Sequence, residues 1–325
     1  MWLADRIELA LGHHLTLGVL MERLAEIHGS RTLVSEAGED GFTVTFAQAA
    51  DLVDRWAGGV AAQSAVGEAV VVATPNGYQQ FLLTLAVCRA GRLAAPVNSQ
   101  MSPAEIEHVI ADSGATLVVR DVAQVDRASG FGPSAEADPR EVAALFYTSG
   151  TTGSPKGAQL THRGLLGGMS LGSLLPTALH RDEVLIGLPV AHIYGFTAVV
   201  GAACAGIPTY FLPRFHPVQA LDAIEERRCT VFAGVPAMYK MLLEAGASDV
   251  LAWNRLQDPA ADIAARLRRK ILSDDLDPAI RVGPRAPLYT DQCIAQMLRN
   301  LAGATGANRE FAATLRAVEQ PAVGG

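Results

Sequence analysis

Short, mostly apolar runs alternate along this chain with amphipathic stretches of helical length, and no other feature constrains its fold as strongly. The runs fall at 69–73, 93–96, 116–119, 143–147, 183–188, 209–212 and 230–233. A strand apolar on both faces must be covered on both faces, and parallel neighbours need long crossovers, so the pattern predicts an α/β protein with mostly parallel sheets flanked by helices. Helices are predicted over 17–28, 47–62, 77–90, 103–112, 161–174, 194–205, 218–227 and 236–245. In 47–62, Ala50, Leu52, Val53, Trp56, Ala57 and Val60 recur at three- and four-residue steps, which places them on one face. A strand pair is expected around 31–46. The segment 123–140, rich in Gly, Ser, Pro and Asp, reads as a surface connection between two α/β layers. Beyond about residue 248 the rhythm stops, and arginine-dense stretches such as 261–272 predict a helical C-terminal segment.

Composition narrows the possible partners. The chain has 325 residues, half of them apolar, with a net charge of -7. Such an acidic chain lacks the electrostatic attraction to phosphate backbones on which nucleic-acid binders depend, so no nucleic-acid partner is expected. Cys88, Cys204, Cys229 and Cys293 are scattered, which argues against zinc and disulfides and for a reducing, cytoplasmic setting. Asp5, Arg6 and Glu8 interrupt what an export signal would need to be apolar. Two uncharged stretches, 164–179 and 193–213, approach the ~20 residues of a membrane span. Small residues, prolines and the strand-like end of the second favour burial, so no integral span is expected. His13 and His14 have no matching ligands elsewhere, and no metal site is expected from side chains alone.

Residues 144–157 read ALFYTSGTTGSPKG, an apolar strand that opens into small and hydroxyl residues and closes on a lysine. Gly150, Gly153 and Gly157 allow backbone conformations that let successive amides turn toward an anion. Thr148, Ser149, Thr151 and Thr152 add hydroxyl donors, and Lys156 adds a mobile positive charge that can follow polyphosphate. A flexible linker has similar composition but needs neither a preceding strand nor a Pro-Lys-Gly ending. The G-x-x-x-x-G-K-[ST] pattern fails when counted from Gly150, because its sixth position is Pro155 and its eighth is Gly157.

This loop resembles the signature of the adenylate-forming superfamily, which includes acyl-CoA synthetases, luciferases and peptide-synthetase adenylation domains. Residues 73–119 are similar to the region that precedes it in fatty-acid–CoA ligases. LPVAHIYGF at 188–196 resembles a second family motif, with Pro189, His192 and Gly195 at steps of three, and VFAGVPAMYKML at 231–242 resembles a strand and helix of the acyl pocket. The resemblance covers about residues 1–247 and implies two stacked, doubly wound, mostly parallel sheets, with a subdomain change near 123–140. It also implies ATP with Mg2+, a carboxylic and specifically fatty acid as substrate, and CoA as acceptor. Thr148, Ser149, Gly150, Thr151, Thr152, Gly153, Lys156 and Gly157 would clasp the phosphates. His192, Tyr194 and Gly195 would line the acyl site, with His192 the one candidate for a catalytic role.

After residue 247 the resemblance stops. The sequence holds no Thr-Glu dipeptide, no Thr-Gly-Asp segment and no P-K-T-x-x-G-K ending. The chain is therefore expected to be a shortened member with 248–325 as an extension of unassigned role. Losing a lysine, ribose and magnesium contacts should cost on the order of a thousandfold in rate. The alternative expectation is a catalytically incomplete remnant that binds nucleotide, acyl ligand or a protein partner through the surface the missing half would cover.

Overall fold

A computed structural model describes residues 15–38, 42–98, 100–126, 137–148, 155–166, 183–227, 229 and 231–252. The predicted C-terminal helices beyond 252, with Cys293, lie outside these residues. Helix α1 (Leu17–His28) leads to the antiparallel pair β1 (Thr32–Glu36) and β2 (Thr43–Thr45), then α2 (Phe46–Ala61). Then come β3 (Ala69–Val72), α3 (Tyr78–Arg89), β4 (Leu93–Pro96), α4 (Pro103–Ser113) and β5 (Leu117–Val119). After a 3-10 turn (Val122–Gln124), β6 (Val142–Thr148), β7 (Lys156–Thr161) and α5 (His162–Leu166) follow. Next are β8 (Val184–Ile186), α6 (Ile193–Ala205) and β9 (Thr209–Phe211). The described chain closes with α7 (Pro217–Glu226), β10 (Val231–Ala233) and α8 (Pro236–Ala252).

The strands form two five-stranded sheets, ordered β5-β3-β4-β6-β7 and β10-β8-β9-β1-β2. Each is parallel except at one edge, where β7 runs against β6 and β2 against β1. The protein is thus α/β with two parallel-rich sheets flanked by helices. All four side chains of β3 are buried, as expected of a central strand covered on both faces. It pairs with β4 from Ala69↔Leu93 to Val72↔Pro96 and with β5 from Val70↔Leu117 to Val72↔Val119.

The distribution of strands between the sheets differs from the sequence expectation. The 123–140 segment does not lead from one layer to the other: it joins β5 to β6 of one sheet. The chain changes sheet between β2 and β3 and again between β7 and β8, and the N-terminal hairpin joins the later strands, its β1 pairing with β9 from Val34↔Thr209 to Glu36↔Phe211. Which sheet a strand joins depends on long-range pairing, which a local pattern does not encode. Residues 156–161, where no strand is predicted, form β7, and the helix expected over 161–174 is described only as α5. The uncharged stretch 193–213 resolves into α6 and β9, while 167–182 lie outside the described residues. No helix among the described residues is long and apolar enough to cross a membrane.

Local chemistry sets the helix ends that matter for the site. A reciprocal capping box of Ser102 and Glu105 starts α4, with Pro103 in its first turn, and Gly114 at φ +63° closes it. Thr45 and Gln48 start α2 in the same way. The described residues up to Phe215, together with β10, form one compact unit, and the described residues of 216–229 and 234–252 belong to another. In the second unit α7 and α8 pack against one another.

Candidate active site

The strands β3, β4, β5 and β6 are parallel, so β6 ends at the same sheet edge as its neighbours. In α/β proteins that carboxyl-terminal edge is where ligands bind. β7 returns antiparallel in the register Phe146↔Ala158, Tyr147↔Gly157 and Thr148↔Lys156. The two ends of the 144–157 motif, Thr148 and Lys156, therefore face each other at the edge, with Lys156 exposed. Ser149, Gly150, Thr151, Thr152 and Gly153 lie outside the described residues.

Gly157 packs closely against its cross-strand neighbour. Its φ lies outside the left-handed region, and a Cβ there would stand 2.9 Å from Cζ of Tyr147. Glycine makes room for the Tyr147 ring, which crosses the strand to donate its hydroxyl to Asp112 Oδ2 at 2.8 Å. Burial first, then the Asp112 carboxylate, hold the Tyr147 phenol well above its ordinary range, so it stays a donor.

The second motif forms a tight turn into α6. His192 is its N-cap: the ring Nδ1 accepts from the Tyr194 backbone N–H at 3.2 Å, and the His192 N–H donates to the Pro189 carbonyl at 3.0 Å. A Cβ on Gly195 would come within 2.2 Å of that same carbonyl oxygen, so only glycine fits. Exposed together at the helix start are His192, Ile193 at 38% and Tyr194 at 42%. One turn in, Phe196 is fully buried, with its ring centroid 5.4 Å from those of Phe146 on β6 and Phe81 on α3. The core thus joins the His192 turn to the strand that carries Thr148.

Several residues that fix this edge were missed by sequence reasoning. Asn76 Oδ1 accepts from the Val190 N–H at 2.9 Å while its Nδ2 donates to the Pro213 carbonyl at 2.8 Å, tying loops of the two sheets together. Glu36 accepts from the Tyr78 N–H at the start of α3, and burial raises its pKa against that hydrogen bond. His108 Nε2 donates to the Pro155 carbonyl at 2.9 Å. The only local signals were an Asn in the turn tripeptide Pro75-Asn76-Gly77 and polar residues on a helix face. His162 begins α5, and its buried Nδ1 accepts the Leu17 N–H at 3.2 Å.

An ammonium group and hydroxyls suit phosphate oxygens. A hard cation needs several oxygen ligands, and among the described residues no group of three or more His, Cys, Asp or Glu is placed to hold a metal.

The description AMP-binding enzyme matches residues 21–316. The chain belongs to the AMP-binding enzyme family. The match runs past residue 247, where the resemblance in the sequence stops. Among curated family members, a feruloyl-CoA synthase of Amycolatopsis sp is 32% identical over 231 residues, covering 62% of this chain and 45% of that protein. The 4-coumarate–CoA ligase 5 of Oryza sativa subsp. japonica is 30% identical over 282 residues, covering 75% and 51%. The chain spans about half the length of these curated relatives. Among solved structures, ATP-bound MatB from Rhodopseudomonas palustris aligns with a TM-score of 0.59 at 27% identity, over 70% of this chain and 51% of that one. The N-terminal domain of FACL13 from Mycobacterium tuberculosis shares the fold, with a TM-score of 0.63 at 24% identity over 69% of this chain and 63% of that one. Homologues of this chain are acyl- and aryl-CoA ligases.

Proposed function

We propose that this chain binds the polyphosphate of ATP between Thr148 and Lys156 and serves the AMP-forming activation of a carboxylic acid for transfer to CoA. In that reaction a carboxylate oxygen attacks the α phosphate, acyl adenylate forms and pyrophosphate leaves with the electron pair of the broken P–O bond. The thiol sulfur of CoA then attacks the acyl carbon and AMP departs. Magnesium enters as the counterion of the ATP substrate. The reading is carried by the β6–β7 pairing, which sets Lys156 opposite Thr148 at the sheet edge where α/β ligands bind. Positioning and charge stabilisation dominate nucleotidyl transfer, so a lysine and backbone donors at this place suffice for the phosphate part of the work.

The exposed Ile193 and Tyr194 beside His192 suit an acid with an apolar body, as a fatty acid has. His192, Tyr194 and Gly195 form the acyl side in this reading. Among relatives, the names feruloyl-CoA synthase and long-chain-fatty-acid–CoA ligase span aryl and alkyl acids. The buried thiols of Cys88 and Cys204 fit a reducing compartment, and the cytoplasm is the setting in this reading.

The test is thermal stabilisation by ATP with Mg2+. A charge-assisted hydrogen bond contributes roughly 1.5–3 kcal/mol, so Lys156→Ala should weaken ATP about tenfold to a hundredfold and remove most of the shift at fixed ligand. An unchanged shift would overturn the assignment. A second reading, in which the chain binds nucleotide, acyl ligand or a protein partner without completing the reaction, is favoured by the lack of any Thr-Glu dipeptide or Thr-Gly-Asp segment in residues 1–325. Acid-dependent exchange of labelled pyrophosphate into ATP separates the two.

A further inference from the structure

We propose that helix α4 clamps both stems of the phosphate segment, with His108 and Asp112 as its positioning residues. This rests on the reading of 148–157 as the phosphate segment and deepens it. The residue immediately before Thr148 is Tyr147, and its hydroxyl donates to Asp112 Oδ2 at 2.8 Å. The residue immediately before Lys156 is Pro155, which is buried, and its carbonyl accepts from His108 Nε2 at 2.9 Å. His108 and Asp112 are four residues apart and so occupy one face of the helix, a single turn apart. The spacing of that turn is thereby imposed on the two strand ends from which the segment leaves and to which it returns.

A clamp must itself be fixed, and α4 is. Its start is held by the Ser102–Glu105 capping box and its end by Gly114. Between them Val109, next to His108, is fully buried in a cluster with Val71, Ala95, Val97 and Leu145. Tyr147 packs against the same cluster, so its ring is held as well as its hydroxyl. The absence of a Cβ at Gly157 completes the device, because any side chain there would push the ring off the line to Asp112. Two ordinary exposed hydrogen bonds on a helix surface would have no reason to select these two residues. Ending one residue before Thr148 and one before Lys156 is what fixing the mouth of a ligand loop requires.

The inference is tested on the full chain by measuring ATP-Mg2+ binding and unliganded thermal stability for His108→Ala, His108→Gln, Tyr147→Phe and Lys156→Ala. His108→Ala and Tyr147→Phe should each weaken ATP roughly fivefold to tenfold while moving the unliganded midpoint by only a few degrees. His108→Gln, whose amide can still donate to the Pro155 carbonyl, should recover most of the affinity, which a loss of general stability would not allow. Wild-type affinity in His108→Ala and Tyr147→Phe, with affinity lost in Lys156→Ala, would overturn the clamp and leave the phosphate reading standing. Wild-type affinity in all of them would overturn both.

Discussion

At the scale of single residues, charge state and space decide more than residue type. His162 is buried, and desolvation lowers its pKa from 6.5 to about 4, so the ring that accepts the Leu17 N–H is neutral at pH 7. The unfolded chain binds that proton more readily, so stability is complete above about pH 6.5 and declines as pH falls toward 4. The loss should reach on the order of 2–3 kcal/mol. Glu36 acts in the opposite direction: its raised pKa means that acidification relieves the cost of a buried carboxylate. Comparing urea midpoints of the wild type and His162→Gln from pH 7 to pH 4.5 isolates the histidine. The glutamine oxygen can still accept from Leu17 but does not titrate, so its profile should be flatter, and parallel profiles would refute the assignment. Gly157 and Gly195 show the same scale in steric terms. Both were legible as glycines of a motif, yet their reasons, a tyrosine ring and the Pro189 carbonyl, are contacts between residues apart in sequence.

At the scale of elements, helix α2 shows how packing overrules propensity. Glycine in a helix interior is about 1 kcal/mol worse than alanine, so Gly59→Ala looks stabilising from the sequence. In the fold, a Cβ at Gly59 would stand 1.8 Å from the Val125 carbonyl oxygen, and Val125 is fully buried at the end of the 3-10 turn. That turn cannot retreat cheaply. Arg55 on α2 forms a bidentate pair with Asp126, and Gln63 Nε2 donates to both the Gly59 and Gln124 carbonyls. Gly59→Ala should therefore destabilise the protein by about 2 kcal/mol or more, measured as a lower urea midpoint, because overpacking costs exceed the propensity gain. Strand β7 is the complementary case. Its sequence KGAQLT has no alternating apolar face, and most of its side chains are exposed or half-buried. An edge strand of this kind exists because β6 offers it hydrogen bonds, so its pattern carried little signal. Helix α4 was legible at both ends, through Ser102, Pro103, Glu105 and Gly114, but the partners of its polar face were not.

At the scale of the whole molecule, the described residues assemble the sheet edge, the paired Thr148 and Lys156 and the His192 turn within one compact unit. Residues 1–325 contain no Thr-Glu dipeptide and no Thr-Gly-Asp segment, which the resemblance implies for the magnesium and ribose contacts. The chain by itself should therefore show acid-dependent pyrophosphate exchange slower by about a thousandfold than a ligase carrying them. Exchange at a full ligase rate would refute that expectation and favour the complete reaction for this chain.

The sequence by itself determined the α/β class, most of the helices and strands, and the family motif at 144–157, because each is written in residues adjacent in the chain. Periodicity, caps and glycine spacing act over a few bonds. Only the tertiary structure decided that β1 and β2 join the later strands, that β7 pairs back on β6, and that His108 and Asp112 reach Pro155 and Tyr147. Those contacts join residues that come together only once the chain has collapsed around its core, and a local pattern carries no record of which distant partner a strand edge or a polar helix face will meet.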